Sequence, residues 1–188
     1  NNLSAAIVMT SQGVPFFQAG EEILRSKPNG SGGYDHNSYK SPDSINSIKW
    51  NDLNDATYMD VYNYYKGLIA FRKAHPALRM TTADAVAANI TVIEGLANKA
   101  TAFQFAANAN GDSAESIYVI FNPAVEALDV TLPEGNWNVY IDAEDAGTKA
   151  LRSVEGTVNV APISAMVLIR EDAIVEETQP TEPATDAA

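Results

Sequence analysis

Apolar and polar residues follow two different periods along this chain, and the change falls near residue 83. Before it, apolar positions recur mostly at the spacing of helices. After it, apolar and polar residues alternate at a period close to two, which is typical of strands. The pattern predicts a helical region over residues 1–82 and a region of strands over residues 83–171.

The beginning of the chain predicts a helix, a strand and a long loop. The helix is expected to end at Gly13, because glycine is favoured just past a helix. Val14–Gln18 is a short apolar run typical of a strand buried on both faces of a parallel sheet. A polar loop then runs from Pro28 to about Asp55, and loops of this length are usually functional or disordered. The apolar face of the first helix consists of Leu3, Ala6, Ile7 and Thr10.

A second helix follows the loop. Thr57 is expected to cap it, with Asp60 three residues later in a box-like arrangement. Pro76 is expected to stop it just after His75, whose side chain can complement the helix dipole. One stripe at helical spacing is predicted to face the core: Tyr58, Val61, Tyr62, Tyr65, Leu68, Ile69 and Arg72.

The second region predicts an antiparallel β-sandwich. About seven short runs rich in β-branched and aromatic residues are separated by Gly, Asn, Asp and Pro. The strand aromatics lie within apolar runs, which favours core positions over an exposed binding face; they are Phe103, Phe105, Tyr118, Phe121, Trp137 and Tyr140. Residues 172–188 are acidic and rich in Pro and Thr, which predicts a disordered tail or a linker.

Composition narrows the classes of function. The 188 residues include no cysteine, which excludes disulfides and thiolate metal sites. The net charge of −12 argues against a nucleic-acid partner, which needs clustered Lys and Arg. No apolar run has the length of a membrane span. A neutral substrate such as a sugar is compatible with this acidity.

Two adjacent carboxylates follow the predicted strand, but they do not predict a catalytic pair. Glu21 and Glu22 would point to opposite sides of an extended chain, so they cannot face one glycosidic bond together. We expect one of them to brace the loop through an ion pair with Arg25 or Lys27.

Three stretches in this order resemble type I pullulanases, debranching members of the alpha-amylase superfamily of glycoside hydrolases: GVPFFQAGEEILRSK, HNSYKSPDSINSIKW and YYKGLIAFRKAHPALRM. The stretches YVIFNPAVEALDVTLPEGNWNVYIDAEDAG and VAPISAMVLI resemble the β-domain that follows the barrel in that family. The resemblance implies an α+β fragment: residues 1–82 as the last βα unit of a (β/α)8 barrel, residues 83–171 as a β-sandwich, and residues 172–188 as a tail.

The resemblance also implies a chemistry that this chain cannot perform alone. The family hydrolyses α-1,6-glucosidic branch points in pullulan, starch or glycogen, with retention, through two carboxyl groups about 5 Å apart. Its catalytic acids sit on earlier barrel strands, so this chain is expected to contain no catalytic residue and to be inactive in isolation. The remainder of the barrel is then its expected partner, together with the α-glucan substrate.

Matched residue by residue, the resemblance places substrate contacts on the long loop. They are Arg25, Lys27, Asn37, Tyr39, Asp43 and Asn46. Asp43 and Asn46 are equally suited to capping turns. Trp50 is expected to pack in the core rather than to stack on a sugar ring.

No cofactor and no metal site is predicted in the chain itself, while calcium stays open for a full-length protein. The acidic turn of Asp142, Glu144 and Asp145 has calcium-type ligands but no regular ligand loop, so a solvated turn is favoured.

Two other readings stay open: a non-catalytic carbohydrate-binding module, and a structural β-sandwich of a larger secreted protein. The resemblance predicts an extracellular or cell-surface location in a bacterium. The truncated barrel unit would expose unpaired strand edges, so self-association of the chain is also expected.

Overall fold

The computed structural model describes residues 1–171 as an α+β fold, and the predicted tail at 172–188 lies outside the described residues. The helices are α1 (Asn2–Thr10), α2 (Asp43–Asn46), α3 (Ala56–Ala74) and α4 (Ala83–Asn89). Short 3₁₀ turns span Glu21–Ile23, Ser38–Lys40, Trp50–Asn54, Pro76–Arg79, Ala97–Lys99 and Ala109–Gly111. The strands are β1 (Ile90–Ile93), β2 (Thr101–Phe105), β3 (Ser116–Asn122), β4 (Leu128–Thr131), β5 (Trp137–Ile141), β6 (Arg152–Val154), β7 (Thr157–Val160) and β8 (Ser164–Arg170).

The strands form two antiparallel sheets. Six of them make one sheet in the order β1-β2-β3-β8-β5-β6, and β4 pairs with β7 in a two-stranded ribbon. The long central strands pair over their whole length, with Ser116 opposite Arg170 and Asn122 opposite Ser164. Because β3, β5 and β8 are buried on both faces, they read as continuous apolar runs rather than as alternating ones.

The six-stranded sheet separates two cores. On one face Ile117, Val119 and Ile169 pack against α1, α3 and the turn at Pro76–Arg79. On the other face Trp137 and Leu168 pack against the β4–β7 ribbon. The fold is therefore three layers, with the helices on one side of the sheet and the ribbon on the other.

Helix α3 joins the two parts of the chain. Gly67 lies so close to the loop after β5 that a Cβ atom there would overlap the Ala146 carbonyl group. At the end of α3, Asp112 of the β2–β3 connection is 3 % exposed and lies 3.0 Å from His75 Nδ1. The Asp112 carboxylate also accepts hydrogen bonds from the backbone N–H groups of Ala77 and Ala114. The His75 side chain thus contacts the sandwich.

The ends and the buried face of α3 differ in part from prediction. Asp55, not Thr57, is the N-cap, since its carboxylate accepts a 2.8 Å hydrogen bond from Thr57 N–H. The helix ends before His75 and Pro76 as predicted. Ile69 is 39 % exposed although it belongs to the predicted stripe. Because α3 is covered by the sheet on one side and by α1 on another, the fully buried residues are Tyr64, Tyr65, Gly67, Leu68, Phe71 and Arg72.

The prediction of a buried strand at Val14–Gln18 is wrong for this chain. The structure has no strand there, and Val14 and Phe16 are 95 % and 88 % exposed. A barrel strand is held by neighbours on both edges, and residues 1–171 place none beside this segment. Phe17 packs toward α3, with its ring 5.9 Å from that of Tyr65.

Candidate functional site

The long loop opens with a tight turn at residues 18–25. Gly20 has φ +98°, and its missing side chain leaves room for the stem of Arg25, which a Cβ atom would overlap. The Arg25 backbone N–H donates to the Gly20 carbonyl at 2.8 Å. Glu21 Oε1 accepts from Gln18 N–H at 3.0 Å, and Glu22 Oε2 accepts from Gly20 N–H at 2.8 Å. The two carboxylates therefore cap the turn through backbone groups.

The ion pair expected for these carboxylates is absent. Among residues 1–171, neither Glu21 nor Glu22 has a salt-bridge partner. Arg25 instead donates to the backbone carbonyls of Ala19, at 3.0 Å, and of Asn46. Lys27 Nζ donates to Ser38 Oγ at 2.6 Å. Both cations are thus occupied in closing the loop.

Ser38 is the centre of the loop's hydrogen bonds. It is 7 % exposed and accepts from Lys27 through its hydroxyl and from Asn46 Nδ2 through its carbonyl, at 2.6 Å. Asn46 Nδ2 also donates to the Ser41 carbonyl at 2.8 Å. Since Arg25 binds the Asn46 carbonyl, one network joins Arg25, Lys27 and Asn46. The structure therefore brings these three residues together as tethers of the loop.

Asp35 fixes the turn that precedes Ser38. Its carboxylate accepts from the Ser41 hydroxyl and from Asn37 N–H. The Ser41 hydrogen bond first, and then that of Asn37, hold the pKa of the Asp35 carboxyl below its ordinary value. The charged form of Asp35 thus stabilises the loop geometry around Asn37.

The other predicted contacts point to solvent. Asn37 and Asp43 are exposed, and neither side chain has a hydrogen-bond partner within residues 1–171. Tyr39 is 76 % exposed, and Lys40 Nζ lies 5.3 Å from the centre of its ring. Asn37 and Tyr39 flank Ser38, and Asp43 lies in the same α2 turn as Asn46. Arg25, Lys27 and Asn46 therefore form the hydrogen-bond network of the loop. The side chains of Asn37, Tyr39 and Asp43 project from this network into solvent.

The prediction that Trp50 packs in the core is wrong. Trp50 is 59 % exposed in the 3₁₀ turn before α3. Neither of the two apolar cores includes a residue of this turn. The sequence alone does not distinguish Ser38, because a serine in a polar loop has no characteristic spacing.

Other candidate residues have structural contacts. Asp142 Oδ1 accepts from the backbone N–H groups of Glu144 and Asp145, both at 3.1 Å. Asp142 Oδ2 accepts from Arg152 at 2.5 Å. Within residues 1–171, no group of acidic or imidazole side chains is arranged to hold a metal ion. In the same range, no helix combines the length and the apolarity needed to cross a membrane.

The strand aromatics serve the core, as predicted. Trp137 is fully buried and its ring lies 5.8 Å from that of Tyr118, in an edge-on arrangement. Trp137 Nε1 donates to the Pro133 carbonyl at 2.9 Å. Phe103 and Phe121 are half-buried and pack on the helical side of the sheet. The described faces of the sandwich thus present no row of exposed strand aromatics to a sugar.

This chain is similar in sequence to known proteins. A family described as "Pullulanase, all-beta domain" matches residues 86–145. Pullulanase of Bacillus subtilis is 32 % identical over 131 residues, which cover 70 % of this chain and 17 % of that protein. Isoamylase of a Flavobacterium species is 33 % identical over 147 residues, which cover 68 % of this chain and 18 % of the isoamylase.

Solved structures agree over more of the chain. Pullulanase from Bacillus acidopullulyticus is 38 % identical with a TM-score of 0.81, and the match covers 90 % of this chain and 20 % of that structure. A mutant pullulanase from Paenibacillus barengoltzii, complexed with maltotetraose, is 36 % identical with a TM-score of 0.74 over 91 % of this chain and 25 % of its own.

These matches relate the chain to glycoside hydrolases. The likeness covers the β-sandwich as well as the helix and polar loop that precede it. Within that class the chain is of the pullulanase type. It spans about a fifth of the length of the four relatives described above, between 17 % and 25 %.

Proposed function

We propose that this chain is the C-terminal part of a debranching glycoside hydrolase. In that role it would help to cleave α-1,6-glucosidic branch points in pullulan, starch or glycogen, with retention. The catalytic acids would belong to barrel strands outside the chain. Support comes from the continuous likeness to pullulanases over residues on both sides of the domain boundary, up to 91 % of the chain.

The loop would supply substrate contacts in this role. Asn37 can both donate to and accept from sugar hydroxyls, and Asp43 can accept from them. The exposed Tyr39 ring offers an apolar platform for one face of a glucose unit. Arg25, Lys27 and Asn46 would act indirectly, since their polar groups hold the loop in shape.

The sandwich would support the barrel rather than bind substrate. Its apolar residues are buried on both faces of the six-stranded sheet, against the ribbon and against α1 and α3. The buried contacts at Gly67 and Asp112 would fix α3, and with it the end of the loop, on this support.

The complete gene product that contains this chain tests the reaction. We expect it to release maltotriose from pullulan, with the α-anomer formed first, as shown by chromatography and NMR of the early products. The 188-residue chain alone should release no sugar. A complete product that binds pullulan but leaves its bonds intact would overturn the proposal.

The binding-module alternative has its own test. The 188-residue chain is run on native gels with and without pullulan or amylopectin, beside albumin as a non-binding control. We expect equal mobility in both gels. Strong retardation by pullulan would instead favour a carbohydrate-binding module. The extracellular or cell-surface location remains a proposal, to be checked by fractionating cells that express the complete product.

A further inference from the structure

The chain contains two Asn-Gly pairs, and the structure holds them in opposite ways. Asn29–Gly30 lies at the tip of a turn in the long loop, and Asn110–Gly111 lies in the 3₁₀ turn between β2 and β3. In such a pair the glycine nitrogen can approach the side-chain amide carbon closely, because glycine has no Cβ atom to obstruct it. The outcome depends on three groups of each pair, namely the side-chain carbonyl, the side-chain NH2 and the glycine N–H.

At Asn29 the side-chain carbonyl is polarised and both nitrogen atoms are free to react. Asn29 Oδ1 accepts hydrogen bonds from the backbone N–H groups of Ser31, at 3.0 Å, and of Gly33, at 3.2 Å. Two such donors stabilise the negative charge that develops on this oxygen when a nucleophile attacks the carbon. Within residues 1–171, neither the Gly30 N–H nor Asn29 Nδ2 has an acceptor.

At Asn110 the same three groups have the opposite arrangement. Asn110 Nδ2 donates to the carbonyl of Pro76 at 2.8 Å and to that of Arg79 at 3.4 Å. The Gly111 N–H donates to the Asn108 carbonyl at 3.0 Å. No donor within residues 1–171 reaches Asn110 Oδ1. Both nitrogen atoms are therefore occupied, and the carbonyl carbon is not activated.

We propose that Asn29 is a site of spontaneous covalent modification, and that Asn110 is protected by its fold. The Gly30 nitrogen forms a bond to Asn29 Cγ while the bond from Cγ to Nδ2 breaks. The proton of the Gly30 N–H leaves with the side-chain amine as ammonia, and a five-membered succinimide remains. One water molecule then opens this ring, at one carbonyl to aspartate and at the other to isoaspartate.

Isoaspartate at this position would disturb the loop that carries the proposed substrate contacts. It adds a methylene group to the main chain, so the tip can no longer keep the 3.0 Å hydrogen bond from Asn29 N–H to the Gly33 carbonyl. The same hairpin is joined by the Asp35 N–H, which donates to the Lys27 carbonyl at 2.8 Å. Since Lys27 Nζ holds Ser38, the change would pass into the hydrogen-bond network of the loop.

This inference goes beyond the proposed function, because the reaction needs only water and the groups of residues 29–33. In the proposed enzyme the loop lines an open cleft, where water reaches it in the complete protein as well. A stable Asn29 would refute the modification and leave the hydrolysis of pullulan by the complete product untouched.

The test compares the two pairs in the complete gene product, folded at neutral pH and unfolded in guanidinium chloride. Peptide mass spectrometry follows the replacement of NH2 by OH at each pair, and an isoaspartyl methyltransferase labels the isoaspartate. In the folded protein we expect Asn29 to react at least about tenfold faster than Asn110. Unfolding should make the two rates converge, by slowing Asn29 or leaving it unchanged and by accelerating Asn110.

Variants connect the reaction with the change in the loop. Asn29→Gln should abolish the product at this position, since its ring would need six members, and Asn110→Gln is the matched control that should leave the rate at Asn29 unchanged. Hydrogen exchange at the Asp35 N–H should become faster as isoaspartate accumulates, but not in Asn29→Gln. Equal rates at the two pairs in the folded protein, a faster Asn110, or an Asn29 that reacts faster after unfolding would each overturn the proposal.

Discussion

The sandwich and the segment at residues 13–55 are both rich in interactions, but they obtain them differently. In the sandwich, apolar strands find partners within the chain, and Trp137, Val139 and Ile169 have no exposed surface. In the segment, polar groups tie the loop to itself while Val14 and Phe16 remain exposed. An apolar run therefore becomes a strand only where neighbouring strands are available to pair with it. Helix α3 contacts both regions, and its buried contacts at Gly67 and His75 fasten it to the sandwich.

The largest effect is expected at Asp112. Asp112→Ala should lower the free energy of unfolding by about 4 kcal/mol, because three buried donors lose their acceptor. Urea unfolding followed by circular dichroism measures the loss. Asp129→Ala, at an exposed strand position whose carboxylate accepts a hydrogen bond from Asn159 Nδ2, should cost less than about 0.5 kcal/mol. Equal losses in the two variants would show that Asp112 does not fasten α3 to the sandwich.

Gly67 tests the same junction by adding atoms. Gly67→Ala should destabilise the fold by about 3 kcal/mol, since the new methyl group overlaps the Ala146 backbone. Helix propensity alone would make this change stabilising by about 1 kcal/mol, so the sign is informative. Gly147→Ala, where a Cβ atom meets open space, is the control and should change the midpoint little. A stabilised Gly67→Ala variant would contradict the close packing of α3 on the sandwich.

Substitution of Arg72 tests how the chain between α1 and residue 18 is attached to α3. Its guanidinium is buried and donates to the carbonyls of Met9, Ser11 and Gly13. Burial first, and then the neighbouring Arg79, lower the pKa of Arg72. Arg72→Met should cost about 2 kcal/mol by leaving buried carbonyls unpaired and should speed hydrogen exchange at the end of α1. Lys73→Met, the exposed neighbour on α3, should leave that exchange unchanged; the same acceleration in both variants would refute the role of Arg72.

The smallest effect is expected from alkali. Burial first, and then the Glu171 carboxylate that accepts its hydroxyl hydrogen bond, raise the pKa of Tyr140 to about 12. The unfolded chain ionises this phenol near pH 10, so the stability it contributes is complete below pH 10 and is lost as pH rises toward 12. Tyr140→Phe should flatten that decline in unfolding midpoints between pH 9 and 12. Tyr39→Phe, exposed, should not change it; identical slopes for natural chain and Tyr140→Phe would contradict the assignment.

The sandwich could be predicted from sequence because the pattern of apolar residues in each strand indicates that the strand is buried. Strands β3 and β8 combine β-branched residues with turn signals at both ends, and their partners lie within the same ninety residues. Helix α3 can likewise be predicted from its helical period. Its N-cap is Asp55 rather than Thr57, and its buried face also includes Tyr64 and Phe71. The buried face is wider than the predicted stripe because both the sheet and α1 cover the helix.

The segment and the loop could be predicted only in part. Val14–Gln18 has the composition of a buried strand, but a strand forms only beside neighbours, and residues 1–171 place none next to this run. The hydrogen-bond network around Ser38 forms where three turns meet in space, and the spacing of residues along the chain does not predict such a meeting point. The exposure of Trp50 could not be predicted for the same reason, since burial of a loop aromatic depends on what surrounds the loop.

Two exposed tyrosines of the loop, compared in the complete gene product, show whether the loop contacts the glucan. Tyr39 is 76 % exposed beside Ser38, and Tyr34 is 71 % exposed in the preceding turn, outside the set proposed to contact glucan. We expect Tyr39→Ala to lower kcat/KM on pullulan by about tenfold, the loss of about 1.4 kcal/mol of binding to the transition state, and Tyr34→Ala to leave it within about twofold. Equal rates for Tyr39→Ala and the natural enzyme would contradict the claim that this loop presents its free side chains to the substrate.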